Sequence, residues 1–246
     1  MFTVDGRENV RRRLIERAQA DARITAAALT GSAAHNTADE WSDVDLFFAV
    51  DGEPITQTLN DWTACLYAEF GAIHHFDLVA GPATYRAFLL GDLLEIDLGL
   101  TPASAFGPVG NGAFEVLFGA AVERKPVAVD TDHLAGRSWH HVLHAYVCIQ
   151  RSAPWQAEYW ISALRDNTLT LLSHRLGHPG DFLKGADKLP AEATAALRES
   201  LVRGLDVAEL SRALRSATNA FVAELRHHDA RLAAALGPRL LDAVDG

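Results

Sequence analysis

The sequence predicts an α+β fold in which a mixed β-sheet flanked by helices is followed by an all-helical bundle. Short apolar runs typical of strands alternate with helical segments in the first half of the chain. A Gly91-Asp92 pair between two such runs indicates a hairpin. From about Leu134 onward, apolar residues recur with helical spacing. These observations predict two domains, over residues 1–130 and 131–246.

The first domain is predicted to contain two helices and five strands in a mixed order. Charged residues surround Val10 and Leu14, which indicates an amphipathic opening helix. In chain order the expected elements are a helix over 7–20, strands over 24–29 and 44–50, a helix over 61–70, and strands over 73–79, 85–90 and 93–100.

The second domain is predicted to be helical throughout. Apolar residues define one helix face over 139–147, a second over 161–172 and a long final one over 207–225. Gly177 is a suitable stop signal after the second helix. The join between the domains is placed at Pro126 to Asp132.

The most informative feature is a pair of acids, Asp43 and Asp45, on a predicted strand that is otherwise apolar. Side chains alternate across a strand, so both carboxylates are expected on one face. Two buried anions side by side are unfavourable unless a cation lies between them. A hard divalent cation such as Mg²⁺ suits paired carboxylates and leaves room for phosphate oxygens. The pair therefore predicts a metal–phosphate site for phosphoryl or nucleotidyl transfer.

A Gly31-Ser32 turn precedes the acids and supplies phosphate ligands in this interpretation. Glycine allows a backbone geometry that a Cβ would obstruct, and Ser32 offers a hydroxyl and an N–H. The following Ala33-Ala34 pair can open a short helix whose N-terminus favours an anion. The alternative is an ordinary turn beside an exposed edge strand, and the apolar run after Asp45 argues against it.

Gly31-Ser32, nine further residues and then Ser42-Asp43-Val44-Asp45-Leu46 resemble the signature of the DNA polymerase β-like nucleotidyltransferase superfamily. Within it, the chain is most similar to the antibiotic-modifying aminoglycoside and lincosamide adenylyltransferases. The resemblance implies a nucleotidyltransferase catalytic domain over 1–130 and a helical substrate-binding domain over 131–246. It also implies a third carboxylate from a later strand. Asp97 is the candidate, with Glu95 as the fallback on the same face.

The resemblance implies a mechanism as well. Asp43 and Asp45 would hold one or two Mg²⁺ ions against a nucleoside triphosphate, with ATP as the default. Gly31, Ser32 and Ser42 would form the nucleotide-binding turn, with Ser32 gripping the β- and γ-phosphates. Asp97 would either bind metal or accept the proton of the acceptor hydroxyl; the sequence leaves both roles open.

Candidate substrate contacts in the helical domain rest on weaker signals. Lys184 and Lys188 lie on a glycine-containing loop from which they could reach triphosphate oxygens, or they are ordinary solvated lysines. Glu158 and Asp166 lie near an apolar stripe and could bind amines of the acceptor, or they belong to a normal solvated helix face.

Composition narrows the class of partner. A net charge of −10 argues against a general nucleic-acid binder and would attract polycationic acceptors such as aminoglycosides. No segment is long and apolar enough to predict a membrane span. The absence of a secretory signal and the presence of only two cysteines predict a cytoplasmic protein. A monomer or a homodimer is compatible with the sequence.

Two other functions are compatible with these residues. One is a protein adenylyltransferase of the antitoxin type, although the fused helical domain favours a small-molecule acceptor. The other is a catalytically silent nucleotide-binding protein, which the presence of all three candidate acids disfavours. The acceptor, and with it a role in antibiotic resistance or in biosynthesis, stays open.

Overall fold

A computed structural model describes residues 1–35, 37–52, 54–110, 112–125 and 127–245 of the chain. The chain divides into two compact units, Met1–Val127 and Ala128–Gly246. The boundary falls within the segment predicted as the join, although Pro126 itself lies outside the described residues. No helix in the described ranges is long and apolar enough to cross a membrane.

The first unit combines three helices with one sheet. Its helices are α1 (Val4–Ala20), α2 (Gly31–Ala34) and α3 (Ile55–Glu69). Its strands are β1 (Ile24–Leu29), β2 (Val44–Val50), β3 (Ala72–Ala80), β4 (Ala83–Leu90), β5 (Glu95–Pro102) and β6 (Glu115–Phe118).

The six strands form one mixed sheet in the order β3-β4-β5-β2-β1-β6. β2 and β5 run parallel at its centre, and the other neighbouring pairs are antiparallel. The register places Asp45 of β2 directly opposite Asp97 of β5. β3 forms one edge of the sheet and β6 the other.

Different cores cover the two faces of the sheet. On one face, Leu14 of α1 and Trp62 of α3 pack with Leu46, Phe48 and other buried strand residues. On the opposite face, a smaller aromatic cluster holds Phe47 and Phe106. Because adjacent strand residues point to opposite faces, Asp45 shares the face of Phe47.

The described residues of the second unit form helices joined by loops and short turns. The helices are α4 (Thr131–Gln150), α5 (Pro154–Arg175), α6 (Ala191–Glu199), α7 (Val207–His228) and α8 (Ala230–Asp245). Four of them, α4, α5, α7 and α8, share one apolar core that includes Val142, Leu164 and Phe221.

The predicted fold class is confirmed, and the strands over 24–29 and 44–50 have the predicted bounds. Some helix predictions were wrong. α3 begins at Ile55 rather than near residue 61, since its buried stripe already starts at Thr58 and Leu59. The helix predicted over 207–225 lies within α7, but α8 after it was not predicted. Asp229 separates the two helices: its extended backbone ends α7, and its side chain accepts a hydrogen bond from the Leu232 N–H at 2.8 Å. Helix α6 was not predicted at all.

Candidate metal and phosphate site

Three carboxylates converge at the N-terminal ends of the central parallel strands. Asp43 immediately precedes β2, Asp45 is its second residue, and Asp97 is the third residue of β5. One oxygen from each lies within 4.8 Å of the others, and all three residues are half-buried. Among the described residues, this is the one group of three potential metal ligands that meets this spacing. Three carboxylate oxygens form a donor set that suits a hard divalent cation.

The pKa of Asp97 reflects the crowding of these acids. Burial, together with the charges of Glu95 and Asp43, raises the pKa of Asp97 to about 6. Its Oδ1 is buried and has no hydrogen-bond partner within the part of the chain that the structure describes. A buried anionic oxygen without a donor is unfavourable, so the position fits a cation that would neutralise it.

Glu95, the fallback for the third acid, lies at the start of β5 and is exposed. Its charge raises the pKa of Asp97, but its carboxylate is not part of the convergent group. The structure therefore places Asp97, rather than Glu95, with the other two acids.

Gly31 brings the turn between β1 and α2 against the acids. Its φ of +58° lies in the left-handed region that disfavours other residues. A Cβ at this position would lie 2.6 Å from Cγ of Asp45 and would overlap its carboxylate. Glycine is therefore required both by the backbone conformation and by the close approach of Asp45.

Ser32 follows Gly31 in the single helical turn α2. Its Oγ is buried and has no hydrogen-bond partner among the described residues. Buried hydroxyls are normally satisfied, and an unsatisfied one next to three carboxylates suggests a ligand that is bound during function. Ser32 thus fits the phosphate-binding role that the sequence predicts.

Ser42 stabilises the turn that precedes the first acid. Its Oγ accepts a hydrogen bond from the Asp39 N–H at 2.9 Å and donates one to Oδ1 of Asp39 at 3.0 Å. The hydroxyl therefore closes the turn over residues 39–42 that leads into Asp43. Nucleotide binding by Ser42 stays a prediction.

Arg7 holds the same turn from α1, and the sequence reasoning missed it. The residue is 5% exposed, and its Nη1 donates hydrogen bonds to the carbonyl oxygens of Asp39 and Ser42, the latter at 3.0 Å. The sequence did contain a signal for this contact, because the helical spacing places Arg7 on the same face of α1 as the buried Leu14 and Ala18. A charge at a core-facing position indicates a buried polar contact.

Tyr85 forms a wall of the site and was also missed. Its ring stacks on Phe47, with centroids 5.3 Å apart, and lies over Gly99, where a Cβ would be 2.6 Å from Cε1 of the ring. Burial and the charges of Asp45 and Asp97 raise the pKa of Tyr85 to about 12. The phenol is therefore neutral at physiological pH and available as a hydrogen-bond donor.

The remaining predicted residues belong to the second unit. Lys184 and Lys188 are exposed in short turns between α5 and α6. Glu158 of α5 accepts a hydrogen bond from Ser162 Oγ at 2.6 Å, whereas Asp166 is exposed on the same helix. The substrate contacts of these four residues stay predictions.

One comparison with known proteins, the family model, agrees with the sequence motif. Residues 8–94 match a family model described as a nucleotidyltransferase domain, which includes the Gly31-Ser32 turn and Asp43 and Asp45 but ends before Asp97. The predicted resemblance to nucleotidyltransferases is confirmed. No curated protein matches the chain. Among solved structures, an aminoglycoside 6-adenyltransferase from Bacillus subtilis is 16% identical, with a TM-score of 0.33 and coverage of 91% of this chain and 89% of that one.

Proposed function

We propose that the chain transfers a nucleoside monophosphate from ATP to a hydroxyl group of a small molecule, since residues 8–94 match a nucleotidyltransferase domain. The observation that carries this proposal is the convergence of Asp43, Asp45 and Asp97 beside a glycine-bearing turn. In the reaction, the acceptor oxygen forms a bond to the α-phosphorus. The bond between that phosphorus and the bridging oxygen breaks, and pyrophosphate leaves.

Asp43 and Asp45 are proposed to hold Mg²⁺, with Asp97 as a third ligand or as the base. The fit rests on the oxygen donor set and on the unpartnered Oδ1 of Asp97. When bound, the metal would offset negative charge on the triphosphate and on the leaving pyrophosphate.

The chain's own groups would orient the nucleotide. Ser32 would donate its free hydroxyl to a phosphate oxygen, and the Gly31 turn would bring backbone N–H groups close to the same phosphate. Tyr85, which stays protonated, would present a hydroxyl donor at the wall of the site. Lys184 and Lys188 are proposed to add phosphate contacts from the helical unit.

The acceptor is proposed to be a small polar molecule with several amines, such as an aminoglycoside. The net charge of −10 supports a cationic acceptor through long-range attraction. Glu158 and Asp166 are proposed as amine contacts because both carboxylates lie on α5, a long helix of the proposed substrate-binding domain. An antibiotic-modifying enzyme of the cytoplasm is the role most consistent with these features.

The test is pyrophosphate release by the purified full chain with each nucleoside triphosphate, Mg²⁺ and a panel of amino-sugar antibiotics. We expect release that needs both metal and acceptor, and a mass gain of one nucleoside monophosphate on the acceptor. Asp43→Asn should abolish the signal, whereas Glu115→Gln, at an exposed acid of β6, should not. Nucleotide binding without turnover across the panel would contradict the proposal.

A second measurement separates the two roles proposed for Asp97. If Asp97 is a metal ligand, Asp97→Asn weakens Mg²⁺ binding as measured by calorimetry in the presence of a nonhydrolysable nucleotide. If it is only the base, the same variant binds Mg²⁺ with unchanged affinity but does not turn over.

A further inference from the structure

The edge strand β3 exposes an unusual amount of apolar surface. Phe76, Leu78 and Val79 are 51%, 53% and 77% exposed, and Ile73 at the start of the strand is 58% exposed. Among the described strands β3 is paired with β4 alone, so its outer edge carries N–H and C=O groups available to another strand. A long edge strand with exposed apolar side chains favours pairing with a further strand.

The chemistry of β3 is self-complementary about Phe76. In an antiparallel pairing of two identical strands centred there, Phe76 lies opposite itself and His75 lies opposite Asp77 of the second copy. Leu78 then lies opposite His74 of the second copy. An aromatic pair on one face and a His–Asp pair on the other are both favourable cross-strand contacts. We propose that two copies of this chain form a dimer in which β3 pairs antiparallel with β3 in this register.

Charge also directs self-association to this strand. Two copies with a net charge of −10 each repel one another, so a contact between them needs a locally neutral surface. The one acid of β3, Asp77, is paired with Arg86 through two hydrogen bonds of 2.6 and 2.7 Å. His75, whose Nδ1 lies 3.0 Å from the Tyr67 hydroxyl, adds no negative charge. The strand therefore presents no uncompensated negative charge to its copy.

This pairing leaves both acid clusters accessible. The two-fold axis of an antiparallel pair is perpendicular to the sheet, so the two sheets join with corresponding faces on the same side. Phe76 lies opposite Ala87 of β4, which in turn lies opposite Asp97 of β5. Asp97 is thus separated from its copy by five strand spacings, or about 24 Å. The inference concerns assembly and does not depend on the proposed transfer activity.

Cysteine cross-linking tests the register in the full chain. Phe76→Cys should form a disulfide-linked species of twice the 26.7 kDa chain mass under mild oxidation, because the two Cα atoms face each other. Leu78→Cys alone should not, since its Cα and that of its copy would be about 14 Å apart. A mixture of His74→Cys and Leu78→Cys chains should cross-link. The unmodified chain is the control, because Cys65 and Cys148 are buried.

Light scattering tests the interface itself. We expect twice the chain mass for the unmodified protein and the single-chain mass for Phe76→Glu, with unchanged circular dichroism. Phe182→Glu, at a 94% exposed phenylalanine of the helical unit, should remain a dimer. A single-chain mass for the unmodified protein at 100-fold different concentrations up to about 100 μM overturns the proposal, as does a dimer that survives Phe76→Glu. Self-cross-linking by Leu78→Cys but not by Phe76→Cys overturns the register.

Discussion

Replacing Asp97 with asparagine should stabilise the metal-free protein while it abolishes transfer. The pKa of Asp97 is raised from 3.8 to about 6 by burial and by Glu95 and Asp43. A group whose pKa is higher in the folded state favours folding when it is protonated. Its contribution is therefore fully present below about pH 4 and is lost as the pH rises to about 6.

The size of the effect follows from the pKa difference. About two pKa units correspond to a free energy of roughly 3 kcal/mol, and partial solvent screening of a half-buried group makes this an upper value. At pH 8 the Asp97→Asn variant should thus exceed the unmodified protein in unfolding free energy by up to about 3 kcal/mol. At pH 4 the gain should be less than about 1 kcal/mol, because Asp97 is then largely protonated in the folded protein.

The measurement is urea denaturation without divalent metal at both pH values. Native-state hydrogen exchange of peptides from β2 and β5 assigns the change to the first unit. Glu95→Gln is the matched control, since it removes a neighbouring but exposed charge and should give a smaller gain. A loss of stability in Asp97→Asn at pH 8, or an equal gain at both pH values, would refute the electrostatic reasoning.

Five further single variants test the other residues proposed to act in transfer. Gly31→Ala should lower the free energy of unfolding by about 1–2 kcal/mol, because alanine disfavours the positive φ at this position. The added methyl group should also displace Asp45 and eliminate turnover. Normal activity would show that the close approach of Gly31 to Asp45 is unimportant. Ser32→Ala should change the melting temperature little and raise the KM for nucleotide about tenfold, because its hydroxyl has no partner among the described residues. Lys184→Ala and Lys188→Ala, assayed singly and together, should raise the same KM, and an unchanged KM in the double variant would exclude both lysines from phosphate binding. Arg7→Met should raise the Mg²⁺ concentration needed for half-maximal activity, because it removes the hydrogen bonds that hold the turn before Asp43. A loss of stability with unchanged Mg²⁺ dependence would show that Arg7 has a structural role alone.

The sequence by itself determined the elements that carry the site. The run from Val44 to Val50 is a buried central strand because almost all of its residues are apolar, and strand alternation fixed the face of Asp45. Gly31 could be identified as a position where the backbone comes close to a ligand, because glycine allows a geometry that a Cβ would obstruct. The helical character of the second half was equally predictable from spacing, although the helix after Asp229 was not predicted.

Contacts between distant segments were decided only by the tertiary structure. No local pattern pairs β2 with β5, yet that parallel register is what brings Asp97 opposite Asp45 and selects it over Glu95. The same holds for Arg7, whose partners are 32 and 35 residues away. Local sequence sets backbone preference and the face of each side chain. The pairing of strands depends on how the whole chain buries its apolar surface. The crowding of acids that raises the pKa of Asp97 therefore exists only in the folded protein.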